Sequence, residues 1–258
     1  MKTAILAGGL GTRMQEVTHL IPKPMVKIGS HPILWHIMKH YASHGVEEFC
    51  VALGYRGDII KDYFINYHTR QNDICVDLKT KEIKSTRNAA TENWRVNLIE
   101  TGEKTQTGGR IARMQDYLGN ETFMLTYGDG VCDVDIKALL AFHKSHGKIG
   151  TVTAVHQPSR FGALQIDKNN IVAEFMEKPA QGDSFINGGF FVFEPGIFKY
   201  LSKDEECVLE RLPLEKLAND GQLAAYHHQG FWQCMDTIRD INYLNDLWAK
   251  GDSPWKTW

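Results

Sequence analysis

Lys2-Thr3-Ala4-Ile5-Leu6-Ala7-Gly8-Gly9-Leu10-Gly11-Thr12-Arg13 is the stretch that decides the fold. Residues 2–7 read as a buried strand, and a glycine loop follows at once. Glycines let a backbone approach a phosphate and turn its N–H groups toward it. Thr12 adds a hydroxyl donor and Arg13 a positive charge. Farther on, Pro22-Lys23-Pro24 supplies a second cation between two prolines, which limit how far that lysine can swing. By composition alone the loop could be a tight glycine turn; Arg13 and Lys23 favour anion binding. Two familiar phosphate patterns are excluded. A GxGxxG motif starting at Gly9 would need glycine where Met14 stands, and no GK[ST] tripeptide ends the loop.

Working outward, the spacing predicts helices over 32–43, 58–67, 109–118 and 135–146. Short apolar strands are predicted at 49–53, 97–101, 122–126 and 151–155. This alternation predicts an α/β fold: a Rossmann-like, mixed but mostly parallel central sheet with helices on both faces. After about residue 150 the rhythm turns β-rich, with strands expected at 162–166, 171–175 and 188–193 and helices at 210–220 and 238–250. One domain, 1–258, is expected, in two halves, 1–150 and a β-rich 151–258 packed on it. The polar segment 69–95 reads as an insertion with one strand, a place for an oligomer contact.

Composition narrows the function classes. The 258 residues carry a formal net charge of −2, so no basic field gathers nucleic acid. Cysteines 50, 75, 132, 207 and 234 form no CxxC pair and are odd in number, which predicts reduced thiols in a cytoplasmic protein. No apolar run is long enough for a membrane span. His36, His40 and His44 share a helical face. With no carboxylate or Cys completing a site nearby, the stripe is read as solvent-facing rather than metal-binding. His143-His146 and His227-His228 are read the same way, and Trp232, Trp248, Trp255 and Trp258 as packing. HExxH and GxSxG are absent.

Two aspartates stand out. Asp129 lies between Gly128 and Gly130 at the end of a predicted strand, where ligands collect in an open α/β sheet. An unhindered carboxylate there suits Mg2+. Asp236 could serve the same ion or cap a helix. Glu177-Lys178-Pro179 could hold a sugar phosphate or be a solvated turn.

The strings Leu6 to Arg13, Pro22-Lys23-Pro24-Met25, Thr107-Gly108-Gly109-Arg110, Tyr127-Gly128-Asp129-Gly130, Glu177-Lys178-Pro179, Asn187-Gly188-Gly189 and Met235-Asp236-Thr237 occur in this order along nearly the whole chain. Together they resemble the sugar-1-phosphate nucleotidyltransferases, most of all their branch that joins CTP to glucose 1-phosphate. The resemblance implies nucleotide contacts at Leu6, Ala7, Gly8, Gly9, Leu10, Gly11, Thr12, Arg13, Lys23 and Gly128, with base reading at Thr107, Gly108 and Gly109. Arg13 and Lys23 would take catalytic roles. It implies Mg2+ on Asp129 and Asp236, a sugar-phosphate pocket at Gly162, Glu177, Lys178 and Asn187, and a homo-oligomer. Two departures stand: Cys234 replaces the family's proline, and Gln106 replaces an apolar residue. The same chemistry with UTP, dTTP or another acceptor, and a non-catalytic nucleotide-binding module, stay open as alternatives.

Overall fold

The computed structural model describes residues 1–9, 19–85, 92–156 and 184–258, with the strand backbones at 163–166 and 172–176. In chain order the first strands are β1 (Lys2–Leu6), β2 (Lys27–Ile28), β3 (His31–Pro32), β4 (Glu48–Leu53), β5 (Ile74–Asp77), β6 (Glu82–Ser85) and β7 (Arg95–Glu100). They are followed by β8 (Phe123–Tyr127), β9 (Gly130–Cys132), β10 (Gly150–His156), β11 (Ala163–Ile166) and β12 (Val172–Met176). The last are β13 (Phe185–Phe193), β14 (Leu223–His228) and β15 (Trp232–Cys234). The helices are α1 (Ile33–Ser43), α2 (Gly57–Ile65), α3 (Tyr67–Gln71), α4 (Thr107–Arg113), α5 (Gln115–Leu118), α6 (Ile136–His146), α7 (Leu212–Asn219) and α8 (Ile238–Lys250).

One seven-stranded sheet runs in the order β14-β10-β13-β8-β1-β4-β7. Only β13 runs antiparallel to its neighbours, β8 and β10; the other adjacent pairs are parallel. The strands read as near-continuous apolar runs because both faces are covered. Ile5, Val51, Met124 and Phe190 enter one core with Ile33, Leu34, Ile37 and Tyr41 of α1. Ala4, Leu6, Cys50, Leu125 and Phe191 enter the other with Ile111 and Met114. Period-two alternation thus sorts each strand's residues between two layers. The chain leaves β1 for β4 on one side and later returns to its other side as β8, so β1 and β8 flank the switch point where such sheets bind ligands. Strands β10, β13 and β14 of the second half belong to this same sheet.

Several expected boundaries shift for local reasons. The helix expected at 58–67 breaks at Asn66, whose side chain donates to Asp62 O at 3.0 Å and competes with the backbone ladder. The insertion holds two strands, not one: β5 and β6 pair as an exposed antiparallel hairpin. Among the described residues no helix is long and apolar enough to cross a membrane.

The histidine stripe is a correction. His36 is 0% exposed and His40 3%, so α1 turns them inward under the C-terminal segment rather than to solvent. The signal missed was the tail: Trp248, Trp255 and Trp258 all pack around the His36 ring. His36 Nε2 lies 2.9 Å from Ile28 O, and Trp255 Nε1 donates to Nδ1 at 3.4 Å. That pairing suits a neutral ring with its proton on Nε2. Burial first, then the neighbouring His31 and Lys256, lowers the His36 pKa from 6.5 to about 4, against the raising effect of the Ile28 and His31 backbones. The sign follows. The folded state disfavours a proton that the unfolded chain accepts near pH 6.5. His36 therefore contributes its full stability above that pH and loses it as pH falls toward about 4. Urea midpoints should drop between pH 7 and pH 5, and His36→Gln should flatten that drop. A variant with an unchanged pH slope would remove His36 from the account.

Candidate functional site

The glycine loop begins where β1 ends. Ala7 N donates to Ala52 O at 3.1 Å and Tyr55 N to Gly8 O at 3.3 Å, which ties the loop's start to β4 and the turn after it. Beside it, Gly128 N donates to Leu6 O at 3.0 Å. A Cβ on Gly128 would lie 2.8 Å from that oxygen and 3.1 Å from Pro24 Cγ, so glycine is what lets β8 end against β1 here. Asp129 then projects from the carboxyl edge of the sheet.

The second aspartate arrives from 107 residues along the chain by backbone pairing. The ribbon β9–β15 sets Gly130 against Cys234, and Met235 N donates to Asp129 O at 2.8 Å. Thr237, not Asp236, is the N-cap of α8. Its hydroxyl accepts from Asp240 N, and the Asp240 carboxylate accepts from Thr237 N, a reciprocal capping box. Asp240 also accepts from Asp236 N at 3.0 Å and from Gln233 Nε2 at 3.2 Å. The capping alternative for Asp236 is thereby removed, and its carboxylate faces Asp129.

Lys23 stands between the two acids. It opens a short 3-10 turn, Lys23–Met25, whose Pro24 and Met25 are buried. Its Nζ donates to Asp129 Oδ2 at 2.6 Å and to Asp236 Oδ1 at 2.5 Å. Burial works against the ammonium. The Asp129 charge and the hydrogen bonds to Asp129 and Asp236 more than offset it, so the Lys23 pKa is held above its ordinary value. Cys234 sits beside this trio. Burial, with Asp129 and Asp236, pushes its thiol well above the usual range. Ligand atoms of Asp129, Cys234 and Asp236 lie within 4.8 Å of one another. Two carboxylates fit a hard divalent cation; a protonated thiol adds little to such a site.

Arg110, which follows Gly109, is a feature whose position in the string hid its role. Its guanidinium is buried and reaches under the glycine loop. Nη1 donates to Leu53 O, Gly102 O and Thr101 Oγ1, each at 2.8 Å. Nη2 donates to Gly8 O at 2.9 Å and Glu103 O at 3.2 Å. A Cβ on Gly8 would meet Arg110 Cζ at 2.4 Å, and one on Gly54 would meet Nη1 at the same distance. Part of the glycine pattern therefore makes room for an arginine inside the protein, beyond any ligand outside it.

Thr107 starts α4. Its hydroxyl accepts from Leu209 N at 2.9 Å and donates to Glu210 Oε2 at 2.6 Å. Gly108 and Gly109 press against the backbone of 204–209. Glu210 also accepts from Tyr127 OH, and Asn187 Nδ2 donates to that same oxygen at 3.3 Å. One chain of polar contacts thus joins Thr107, expected on the base side, to Asn187, expected on the sugar side. Sequence reading missed Tyr127 and Glu210; nothing in the residues near Glu210 marks it. Asp240 was readable from the Thr-x-x-Asp spacing. Leu10, Gly11, Thr12, Arg13, Gly162, Glu177 and Lys178 lie outside the described residues.

The nucleotidyl transferase family profile matches residues 2–249. A glucose-1-phosphate cytidylyltransferase of Salmonella typhi is 49% identical over 100% of both chains. A probable glucose-1-phosphate cytidylyltransferase of Bacillus subtilis is 45% identical, again over 100% of both. Among solved structures, HddC from Yersinia pseudotuberculosis superimposes with a TM-score of 0.69 at 26% identity, over 96% of this chain and 99% of that one. A carboxylate pair and a lysine gathered at the sheet's switch point, beside a glycine loop, agree with the similarity along the whole length: the chain belongs to the nucleotidyl transferase family.

Proposed function

We propose that this chain transfers the cytidylyl group of CTP to α-D-glucose 1-phosphate, giving CDP-glucose and pyrophosphate. The observation that carries the chemistry is the meeting of Lys23, Asp129 and Asp236 at the carboxyl edge of β1 and β8. The choice of CTP and glucose 1-phosphate is supported by full-length similarity to relatives of that name. A phosphate oxygen of the sugar phosphate forms a bond to the α-phosphorus as the bond to the bridging oxygen breaks, and pyrophosphate leaves with that electron pair. The acceptor is already anionic at neutral pH, so no side chain need remove a proton. Catalysis is then positioning and charge neutralisation. Mg2+ held by Asp129 and Asp236 would supply charge neutralisation on the phosphate oxygens. Lys23 supplies a fixed positive charge at the same point, and Arg13 is assigned to the departing pyrophosphate. The loop from Leu6 to Thr12, with Gly128, is assigned to the triphosphate; Thr107 to Gly109 to the base; and Gly162, Glu177, Lys178 and Asn187 to the sugar phosphate.

The test is pyrophosphate release with CTP, UTP, dTTP and GTP against several sugar 1-phosphates. CTP with glucose 1-phosphate should give the highest kcat/KM. A higher value for another pair would reassign the substrates. Nucleotide binding with no pyrophosphate from any pair would indicate a non-catalytic module.

We also propose that the exposed hairpin β5–β6 meets a second copy of this chain. Ile74, Val76 and Ile83 are all exposed on it, an apolar face that self-association would cover. Sedimentation should show a smaller mass for Val76→Asp/Ile83→Asp than for the parent chain. Equal masses would place any oligomer contact elsewhere.

A further inference from the structure

The ribbon β9–β15 carries a polar cluster at each end. One is the Lys23–Asp129–Asp236 group. At the other, Cys132 ends β9, Asp133 follows it, and His228 ends β14. Their Sγ, carboxylate oxygen and ring nitrogen all lie within 4.8 Å of one another. Pairing of Cys132 with Trp232, and donation from Asp133 N to Phe231 O at 3.2 Å, bring them together. His228 Nε2 lies 2.9 Å from Asp133 Oδ1 and 3.3 Å from Phe231 O. The loop between β14 and β15 closes over this pair at Gly230. A Cβ there would lie 2.4 Å from Asp133 Oδ1 and 2.8 Å from His228 Cε1.

A second observation comes from α1. His40 is 3% exposed, its Nδ1 lies 3.1 Å from Thr257 Oγ1, and its buried Nε2 has no well-aligned hydrogen bond among the described residues, although the Val134 backbone favours a proton on the ring. A buried polar atom left without a good partner is destabilising. The His40 ring feels the charges of Asp133 and His228, and it lines the same small cavity as Cys132. Asp133 Oδ1 also lacks a well-aligned hydrogen bond despite its nearness to His228. A thiol, a carboxylate and an imidazole therefore converge at the end of β9 and of β14, with the His40 ring lining the cavity beside Cys132, and ordinary hydrogen bonding leaves Asp133 Oδ1 unserved.

We propose that Cys132, Asp133 and His228 form a zinc site separate from the carboxylate site at Asp129 and Asp236. Mixed sulfur, nitrogen and oxygen donors suit Zn2+, whereas Mg2+ prefers oxygen alone. Binding releases the Cys132 thiol proton to solvent and changes no oxidation state. Three protein donors leave the fourth position to a water molecule. The ion ties the edge strand β14 to the end of β9 in the ribbon β9–β15. Without zinc, the same residues are an Asp133–His228 contact at 2.9 Å beside a buried thiol.

The experiment uses the full chain, stripped of metal and titrated with Zn2+ and with Co2+. About one Zn2+ should bind tightly per chain. The cobalt form should show a near-ultraviolet thiolate-to-cobalt band, lost in Cys132→Ser and kept in Cys234→Ser. Cys132 is buried and its variant could misfold, so His228→Gln is the second arm. It should weaken cobalt binding by at least the roughly tenfold that even a supporting partner commands. Zinc should also raise the melting temperature of the parent chain and not that of His228→Gln. Absence of tight zinc, a band that survives Cys132→Ser or vanishes with Cys234→Ser, or equal cobalt affinity in His228→Gln would each overturn the site. None of these readouts depends on which nucleotide the chain uses.

Discussion

Asp129→Asn is expected to lower turnover by about 100- to 1,000-fold while leaving the fold intact, the size of loss seen when one charge-stabilising group is removed from a transfer site. The substitution keeps the shape of the side chain and the backbone bond from Met235 N to Asp129 O. It removes one of the two negative charges that the Lys23 ammonium and a divalent ion would share. Lys23 retains Asp236 at 2.5 Å, so the buried cation is not left alone and the stability loss should be small. Asp236→Asn should behave in the same way. The double variant should lose much less than the product of the two effects, because groups that act as a unit are not additive. Pyrophosphate release and calorimetric nucleotide binding, measured together, check this. Near-normal kcat in Asp129→Asn would reduce the two acids to a structural counterion for Lys23.

Arg110→Met should be the most destabilising single change near the site, by about 2–5 kcal/mol, because each buried carbonyl left unserved costs about 1–3 kcal/mol. The backbone oxygens of Gly102 and Glu103 would lose this donor, while Gly8 O would keep only Tyr55 N and Leu53 O only Thr101. Space left beside Gly8 and Gly54 would add a cavity. Arg110→Lys should rescue little, because one ammonium cannot replace a planar fork that reaches carbonyls on both sides. Nucleotide affinity should fall as well, since Gly8 is held in place by that guanidinium. Urea unfolding provides the measurement. A midpoint for Arg110→Met within error of the parent would show that water replaces the guanidinium, and that the loop stands without it.

The two outcomes differ in how far they could be anticipated. Asp129 announced itself: a carboxylate between glycines at the end of an apolar strand has few other uses. Lys23 announced a fixed cation through its flanking prolines. Arg110 lay in view, next to Gly109, but nothing in its neighbours says that it points under residues 8 and 54. Its partners are backbone carbonyls, which have no side-chain signature. The histidines of α1 failed for a related reason. Their spacing showed a shared face correctly, but the polarity of imidazole suggested solvent, and the tryptophan tail that covers them lies more than 200 residues away. The ribbon β9–β15 was missed because its strands are three residues each, too short for any period to show.

Local pattern alone settled the alternation of strands and helices and the mostly parallel sheet. Those features rest on residues close together in the chain, where periodicity and turn chemistry act directly. Tertiary structure decided the rest: that Asp236 faces Asp129 rather than capping a helix, that Lys23 bridges them, and that Cys132, Asp133 and His228 meet beside His40. Each is a juxtaposition made by long-range backbone pairing. The energy that enforces it lies in the sheet and the core, not in the residues that meet.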